Sequence, residues 1–300
     1  MDPKAKTAVS QSQYDAEWIK SAWGDSGEKF IENAGGIIRP RVKRALDIAQ
    51  LAPDMHVLDI GCGRGEVVFY CAKMGCRATG VDYSKDVISI AMKALQKMDS
   101  DVSSRIALHL GDINEIEMES ESFDRIFLLD IVEHLYDWQL SPLYKTLYRL
   151  LKPNGYVVIH TLPNRWVFNF YAFLRFFLPW LEKDPRGEFE KKIHVNEQTC
   201  VSLRKLLGQC GFYCNVKLQQ GLLGQAEWYK DVVFGDRRDS FYRLLRNPLI
   251  KLAVNMVSVT PLRLLLLNDI YAIAAKSEKA LSQARFRMGL PEDLVFRLLS

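Results

Sequence analysis

The chain has little net charge: 40 Lys and Arg stand against 36 Asp and Glu, leaving +4 over 300 residues. No dense basic stripe with interleaved aromatics is present, which argues against nucleic acid as a partner. Cysteines are few. The six present are never spaced C-x-x-C, so no structural zinc site is expected, and the thiols read as reduced and intracellular. Met1-Asp2-Pro3-Lys4 lacks the apolar core of a secretory signal, which points to the cytoplasm. The aromatic run 166–181 is too short to span a bilayer and is broken by Arg175 and Pro179. Internal repeats and low-complexity tracts are lacking too. What remains, 48% apolar and 25% charged residues, is ordinary globular composition with enough apolar mass for one large domain.

Against that plain background stands Val57-Leu58-Asp59-Ile60-Gly61-Cys62-Gly63-Arg64-Gly65. An apolar strand ends next to an acid and runs into three alternating glycines, which let the backbone turn sharply and let a ligand approach without meeting a Cβ. A dinucleotide fingerprint needs G-x-G-x-x-G. Here the third glycine comes one residue early, which disfavours a nicotinamide-dependent dehydrogenase. Around this loop, strand and helix patterns alternate: strands over 55–60, 77–82, 105–110, 124–129, 155–161, 212–218 and 269–275, helices over 65–74, 84–98, 139–151 and 197–209. Lys152-Pro153-Asn154-Gly155 reads as a turn. Alternation of this kind predicts a doubly wound, mostly parallel α/β sheet of seven strands. The expected organisation is a helical segment at 1–52 with two helices, a core at 53–276 with helical insertions at 164–192 and 219–267, and a tail at 277–300.

The glycine loop resembles motif I of the S-adenosylmethionine (SAM)-dependent methyltransferases with a Rossmann-like sheet, and the resemblance runs through 55–218 and the last strand. It implies a cofactor site built from Asp59, Gly61, Cys62, Gly63, Gly65, Asp82, Tyr83, Asp112, Ile113 and Leu129. Asp82 ends the second strand about twenty residues after the glycines, where a carboxylate holds both ribose hydroxyls. Asp112 and the backbone N–H of Ile113 would meet the adenine. Asp59 would orient the loop or meet the methionyl ammonium, and the backbone of Gly61, Gly63 and Leu129 would line the methionine.

Asp130-Ile131-Val132-Glu133-His134 follows the fourth strand. It is similar to the acid-x-x-Glu-His element of ubiquinone-biosynthesis O-methyltransferases and small-RNA 2′-O-methyltransferases, which carry Glu where this chain has Asp130. That similarity implies catalytic Glu133 and His134 and a divalent metal (Mg, Mn or Zn) on Asp130, Glu133, His134 and His194. A direct base or a structural role for His134 stands beside it. His160 faces either substrate or core. The basic and apolar insertions suit either a lid or a peripheral membrane contact; a lid over the substrate is expected. The implied activity is SAM-dependent O-methylation of a bulky natural product, lipid-linked intermediate or glycan. The alternatives are a non-catalytic scaffold for a protein partner and an RNA 2′-O-methyltransferase.

Overall fold

The computed structural model describes residues 8–24, 27–36, 38–177, 188–221 and 267–284, with Pro179, Lys183, Asp184, Arg186, Pro248, Leu252, Met256 and Thr260 as single positions. Most of the expected 219–267 insertion, and the tail beyond Ala284, lie outside the described residues.

Seven strands form one sheet: β1 (His56–Ile60), β2 (Arg77–Asp82), β3 (Ile106–Leu110), β4 (Phe123–Leu129), β5 (Leu151–Thr161), β6 (Tyr213–Gly221) and β7 (Leu267–Ala275). Their order is β3-β2-β1-β4-β5-β7-β6, with β7 antiparallel to both neighbours and the other pairs parallel. β1 and β4 lie side by side in mid-sheet, where the strand order reverses, and a doubly wound sheet opens its binding crevice outside the carboxyl ends of such strands.

Helices cover both faces because the central strands are apolar on both sides. One core layer packs Leu46 of α3 (Pro40–Ala49), Phe69 of α4 (Glu66–Lys73) and Val87 of α5 (Lys85–Leu95). The other packs Leu140 and Leu147 of α7 (Asp137–Leu150) with Leu203 and Leu207 of α10 (Cys200–Gln209). A short α6 (Ser100–Ser103) leads into β3, and α11 (Glu278–Gln283) follows β7.

Two local expectations change. The N-terminal segment forms three helices rather than two, α1 (Ala16–Trp23), α2 (Glu28–Glu32) and α3, because Gly24 ends α1 in the left-handed conformation at φ +78°. The Lys152–Gly155 turn lies within β5 as a bulge: the register to β4 jumps from Phe123–Leu151 to Arg125–Tyr156. A Cβ on Gly155 would stand 2.8 Å from the Asp124 carbonyl oxygen, so the bulge closes only around glycine.

The 164–192 insertion opens as α8 (Arg165–Phe177), directly after β5, and continues to α9 (Glu188–Ile193). α8 buries Val167 and Tyr171 and leaves Phe173, Phe176 and Phe177 exposed at 59%, 81% and 61%.

Candidate active site

The loop after β1 is tied to β2 by its own backbone. Gly61 and Cys62 N–H both donate to the Val81 carbonyl, at 2.8 and 3.0 Å, and Gly63 N–H donates to Asp82 Oδ2 at 2.8 Å. Asp82 Oδ1 accepts the Ser84 N–H at 2.9 Å. Asp82, not Asp59, therefore holds the glycine loop. Gly61 sits at φ +66°, and a Cβ there would fall 2.1 Å from Ile131 Cδ1, so only glycine lets the chain after β4 close over the turn.

A cavity of about 640 Å³, well inside the range of small-molecule sites, opens at these strand ends. Gly61, Asp82, Tyr83, Asp112, Ile113 and His134 line it, whereas Asp59, Cys62, Gly63, Gly65 and Leu129 are not among its lining residues. Its outer wall comes from α7, through Trp138 and Leu143, and from Ala8 to Gln11. The latter precede α1, the first α-helix of the N-terminal segment. Tyr14 seals that segment down: its carbonyl accepts the Ser84 hydroxyl at 3.1 Å, and its ring stands edge-on to Tyr83.

Burial raises the Asp59 carboxyl well above its ordinary range, and the charges of Asp82 and Glu66 add to the shift. Asp82 is raised as well, by burial, with the N–H groups of Ser84 and Gly63 opposing. Positive charge on a bound ligand relieves this crowding of carboxylates. Glu66 meets its own cations: Arg39 Nε at 3.0 Å and Arg64 at 2.8 Å, which together outweigh its burial and lower its pKa.

At the other end of the cavity the chain leaves β4 through Asp130 at φ +57° into a 3₁₀ turn over Val132–His134. Glu133 is buried and accepts the Thr161 hydroxyl at 2.7 Å. Its other oxygen lies 4.0 Å from His134 Nε2. The Glu133 carbonyl accepts the N–H groups of Val195 and Asn196, at 2.9 and 3.1 Å, which brings His194 to the turn. The His134 and His194 rings meet edge-on with centroids 4.9 Å apart. One ligand atom each from Glu133, His134 and His194 all fall within 4.8 Å of one another. His134 Nδ1 shares a hydrogen bond with the Tyr14 hydroxyl at 3.1 Å, across 120 residues of chain.

Asp130 does not join this cluster. Its carboxylate is held by Arg41 Nε at 2.9 Å and by His160 Nδ1, so the fourth ligand expected from sequence is engaged elsewhere. His160 is a buried core residue, and its Nε2 stands 3.9 Å from Asp269. Burial works to lower the His160 pKa, but the two carboxylates carry it to about 9. Arg41 and His160 hold Asp130 well below the carboxylate range despite its burial. Glu133 moves the other way, to about 8, through burial and the charge of Asp130. Burial and His194 push His134 down to about 3, so its imidazole is neutral at physiological pH.

Tyr14, Arg41 and Thr161 escape sequence reading because no local motif marks them. The pocket-lining role of residues 8–11 leaves no periodic signal either.

A family profile described as "Methyltransferase domain" matches residues 57–155. The ubiquinone biosynthesis O-methyltransferase of Bartonella bacilliformis is 30% identical over 223 residues, covering 68% of this chain and 83% of that enzyme. The chain belongs to the class I SAM-dependent methyltransferases. It is also similar to phosphoethanolamine N-methyltransferase 1 of Arabidopsis thaliana, at 26% identity over 74% of this chain and 38% of that enzyme's length. In fold, this methyltransferase matches the crystal structure of a SAM-dependent methyltransferase from Archaeoglobus fulgidus with a TM-score of 0.51, at 22% identity over 87% of this chain and 99% of the other. The seven-stranded Rossmann-like sheet and the enzyme class expected from sequence both hold.

Proposed function

We propose that this methyltransferase carries the SAM methyl group to a hydroxyl of a bulky, neutral, partly apolar acceptor. The observation that carries the reading is the convergence of Glu133, His134 and His194 beside a cavity lined by Gly61 and Asp82. Methyl transfer from a sulfonium asks for in-line alignment and loss of the hydroxyl proton, and this end of the cavity supplies groups for both.

On the donor side, Asp82 accepts the Gly63 N–H on Oδ2 and the Ser84 N–H on Oδ1, and its remaining lone pairs would take the ribose hydroxyls. Asp112 and the Ile113 N–H would take the adenine, and the buried Asp59 would act on the methionyl ammonium through its charge from behind the cavity wall. On the acceptor side, Glu133, His134 and His194 would hold a divalent cation; one carboxylate and two imidazoles suit Zn²⁺ or Mn²⁺, and Mg²⁺ less well. The fit is supported by the bonds behind them. Tyr14 engages His134 Nδ1 and Thr161 engages Glu133 Oε2, as outer partners orient metal ligands. His134 is already neutral, as a ligand must be. A bound cation lowers the pKa of a hydroxyl beside it. Without one, an imidazole with a pKa near 3 is a weak base.

The wall contributes Val9, Ile131, Leu135, Trp138, Pro142 and Leu143, and none of the described lining residues is Lys or Arg. A phosphate-bearing acceptor would find no Lys or Arg there to replace its hydration, only the one proposed metal ion. That favours an aromatic, lipid-linked or glycan hydroxyl over phosphoethanolamine. No described residue of 164–192 lines the cavity, and the exposed aromatics of α8 support a peripheral contact with a membrane surface instead of the expected lid. No helix among the described residues is long and apolar enough to cross a membrane.

Tritiated SAM offered with a panel of catechols and with phosphoethanolamine tests the reading. Label should enter the phenolic oxygen, fall on chelation and return with Zn²⁺, Mn²⁺ or Mg²⁺. Transfer to the phosphoethanolamine amine that ignores the chelator would overturn it.

A further inference from the structure

Four charged side chains that the proposed chemistry does not use meet at the carboxyl edge of the sheet: Arg41 of α3, Asp130 after β4, His160 of β5 and Asp269 of β7. Arg41 and His160 lie against the Asp130 carboxylate, and His160 also lies against that of Asp269, so opposite neighbours offset the desolvation of the cluster. The backbone joins in. Asp130 N–H donates to the His160 carbonyl at 3.0 Å, and the Tyr271 hydroxyl of β7 donates to the Arg41 carbonyl at 3.2 Å.

Asp130 occupies a left-handed conformation at φ +57°, which costs a side-chain-bearing residue energy and persists only where its surroundings enforce it. The kink has consequences one to four residues on. Ile131 is seated on Gly61, Glu133 meets Thr161, and His134 meets Tyr14. We infer that Asp130 is the positioning residue of the acceptor turn and that Arg41 is its anchor, the ion pair between α3 and the end of β4 enforcing the kink that delivers His134 to the cavity and Glu133 to its place behind it. The N-terminal helical segment is thereby part of the transfer apparatus through Arg41, as it is part of the pocket wall through residues 8–11.

The inference rests on the reading that the 131–134 turn serves methyl transfer, so its test uses no acceptor. In protein labelled with ¹⁵N-histidine and saturated with S-adenosylhomocysteine, the His134 signals are assigned by their shift in Tyr14→Phe, which removes the hydrogen bond to Nδ1. Arg41→Gln should move the His134 signals to the Tyr14→Phe position. Arg41→Lys, which keeps the charge, should restore them at least in part. Affinity for S-adenosylhomocysteine should change by less than about threefold in all three, because the glycine loop is held by Val81 and Asp82 instead. Asp130→Gly keeps the kink available without its anchor, and should shift the same signals if Arg41→Gln does not fold. Unmoved His134 signals in folded Arg41→Gln or Asp130→Gly would overturn the inference. So would a parallel loss of nucleoside affinity, which would mark a general structural role. If the signals move as expected and no hydroxyl acceptor is found, the positioning stands while the transfer reading fails.

Discussion

The proposed donor half of the site, β1 and β2 with the turn into α4, and the proposed acceptor half, from Asp130 to His134 with β5 and residues 193–196, are held together differently. In the donor half the backbone bonds to its neighbour in sequence-ordered fashion: Gly61 and Cys62 to Val81, Gly63 to Asp82, Ser84 back to Asp82. In the acceptor half side chains from five separate segments converge, with Tyr14, Arg41, Glu133, Thr161 and His194 each arriving on a different element. A backbone-built site tolerates side-chain change away from its glycines and acids. A side-chain-built site depends on each group and on the pairing of its charges.

The sharpest way to break this contrast is His134→Ala. Transfer should fall by about 10²–10⁴, the range for a positioned acid–base or ligand group, while calorimetric SAM affinity changes by less than about threefold. Loss of SAM binding in that variant would join the two halves into one. Next comes Asp82→Ala, expected to weaken SAM by about 1–3 kcal/mol because ribose donors and the Gly63 N–H lose a buried acceptor together. Unchanged affinity in the folded variant would remove Asp82 from the donor site.

Gly61→Ala tests the seam between the halves. Its Cβ meets Ile131 at 2.1 Å at a positive φ, so a loss of about 1–3 kcal/mol in denaturant unfolding is expected. Ile131→Ala in the same background should recover part of that loss; no recovery would mean that the contact is not the seam.

The last test is the pH dependence of the acceptor half. Glu133 rises from an ordinary 4.5 to about 8 in the folded protein. Its contribution to stability is complete below the lower value and is lost as pH rises toward the upper one. His134, lowered from 6.5 to about 3, contributes fully above pH 6.5 and loses its contribution as pH falls toward 3. Glu133→Gln should therefore gain on the unmodified protein in urea unfolding as pH rises from 5 to 8. A constant difference across that window would show that Glu133 is not held protonated.

The 166–181 run shows what an apolar pattern leaves open. Aromatics on every face suggest a cover for the substrate, yet α8 buries only Val167 and Tyr171 below a tenth exposure among its described side chains and turns Phe173, Phe176 and Phe177 outward. Hydrophobicity states that a surface wants a partner; it does not say which. Flotation with anionic and zwitterionic vesicles would separate the outcomes. Binding to the anionic ones that is lost in Phe176→Ser/Phe177→Ser supports the membrane contact, and equal behaviour of both proteins removes it.

By itself the sequence determined the strand-and-helix alternation, the early third glycine, and the acids at Asp59, Asp82 and Asp112, and with them the class of enzyme. Those signals are local: a φ that only glycine adopts easily, or an acid placed at a strand end by a period of two, is legible within a few residues. Glu133 and His134 were legible for the same reason. Tertiary structure alone decided that Asp130 turns to Arg41 and His160 instead of the Glu133 cluster, that Tyr14 reaches His134, and that residues 8–11 wall the cavity. A charged side chain chooses among partners by distance and desolvation in the folded molecule, and segments 30 to 120 residues apart acquire those distances only when the sheet has assembled.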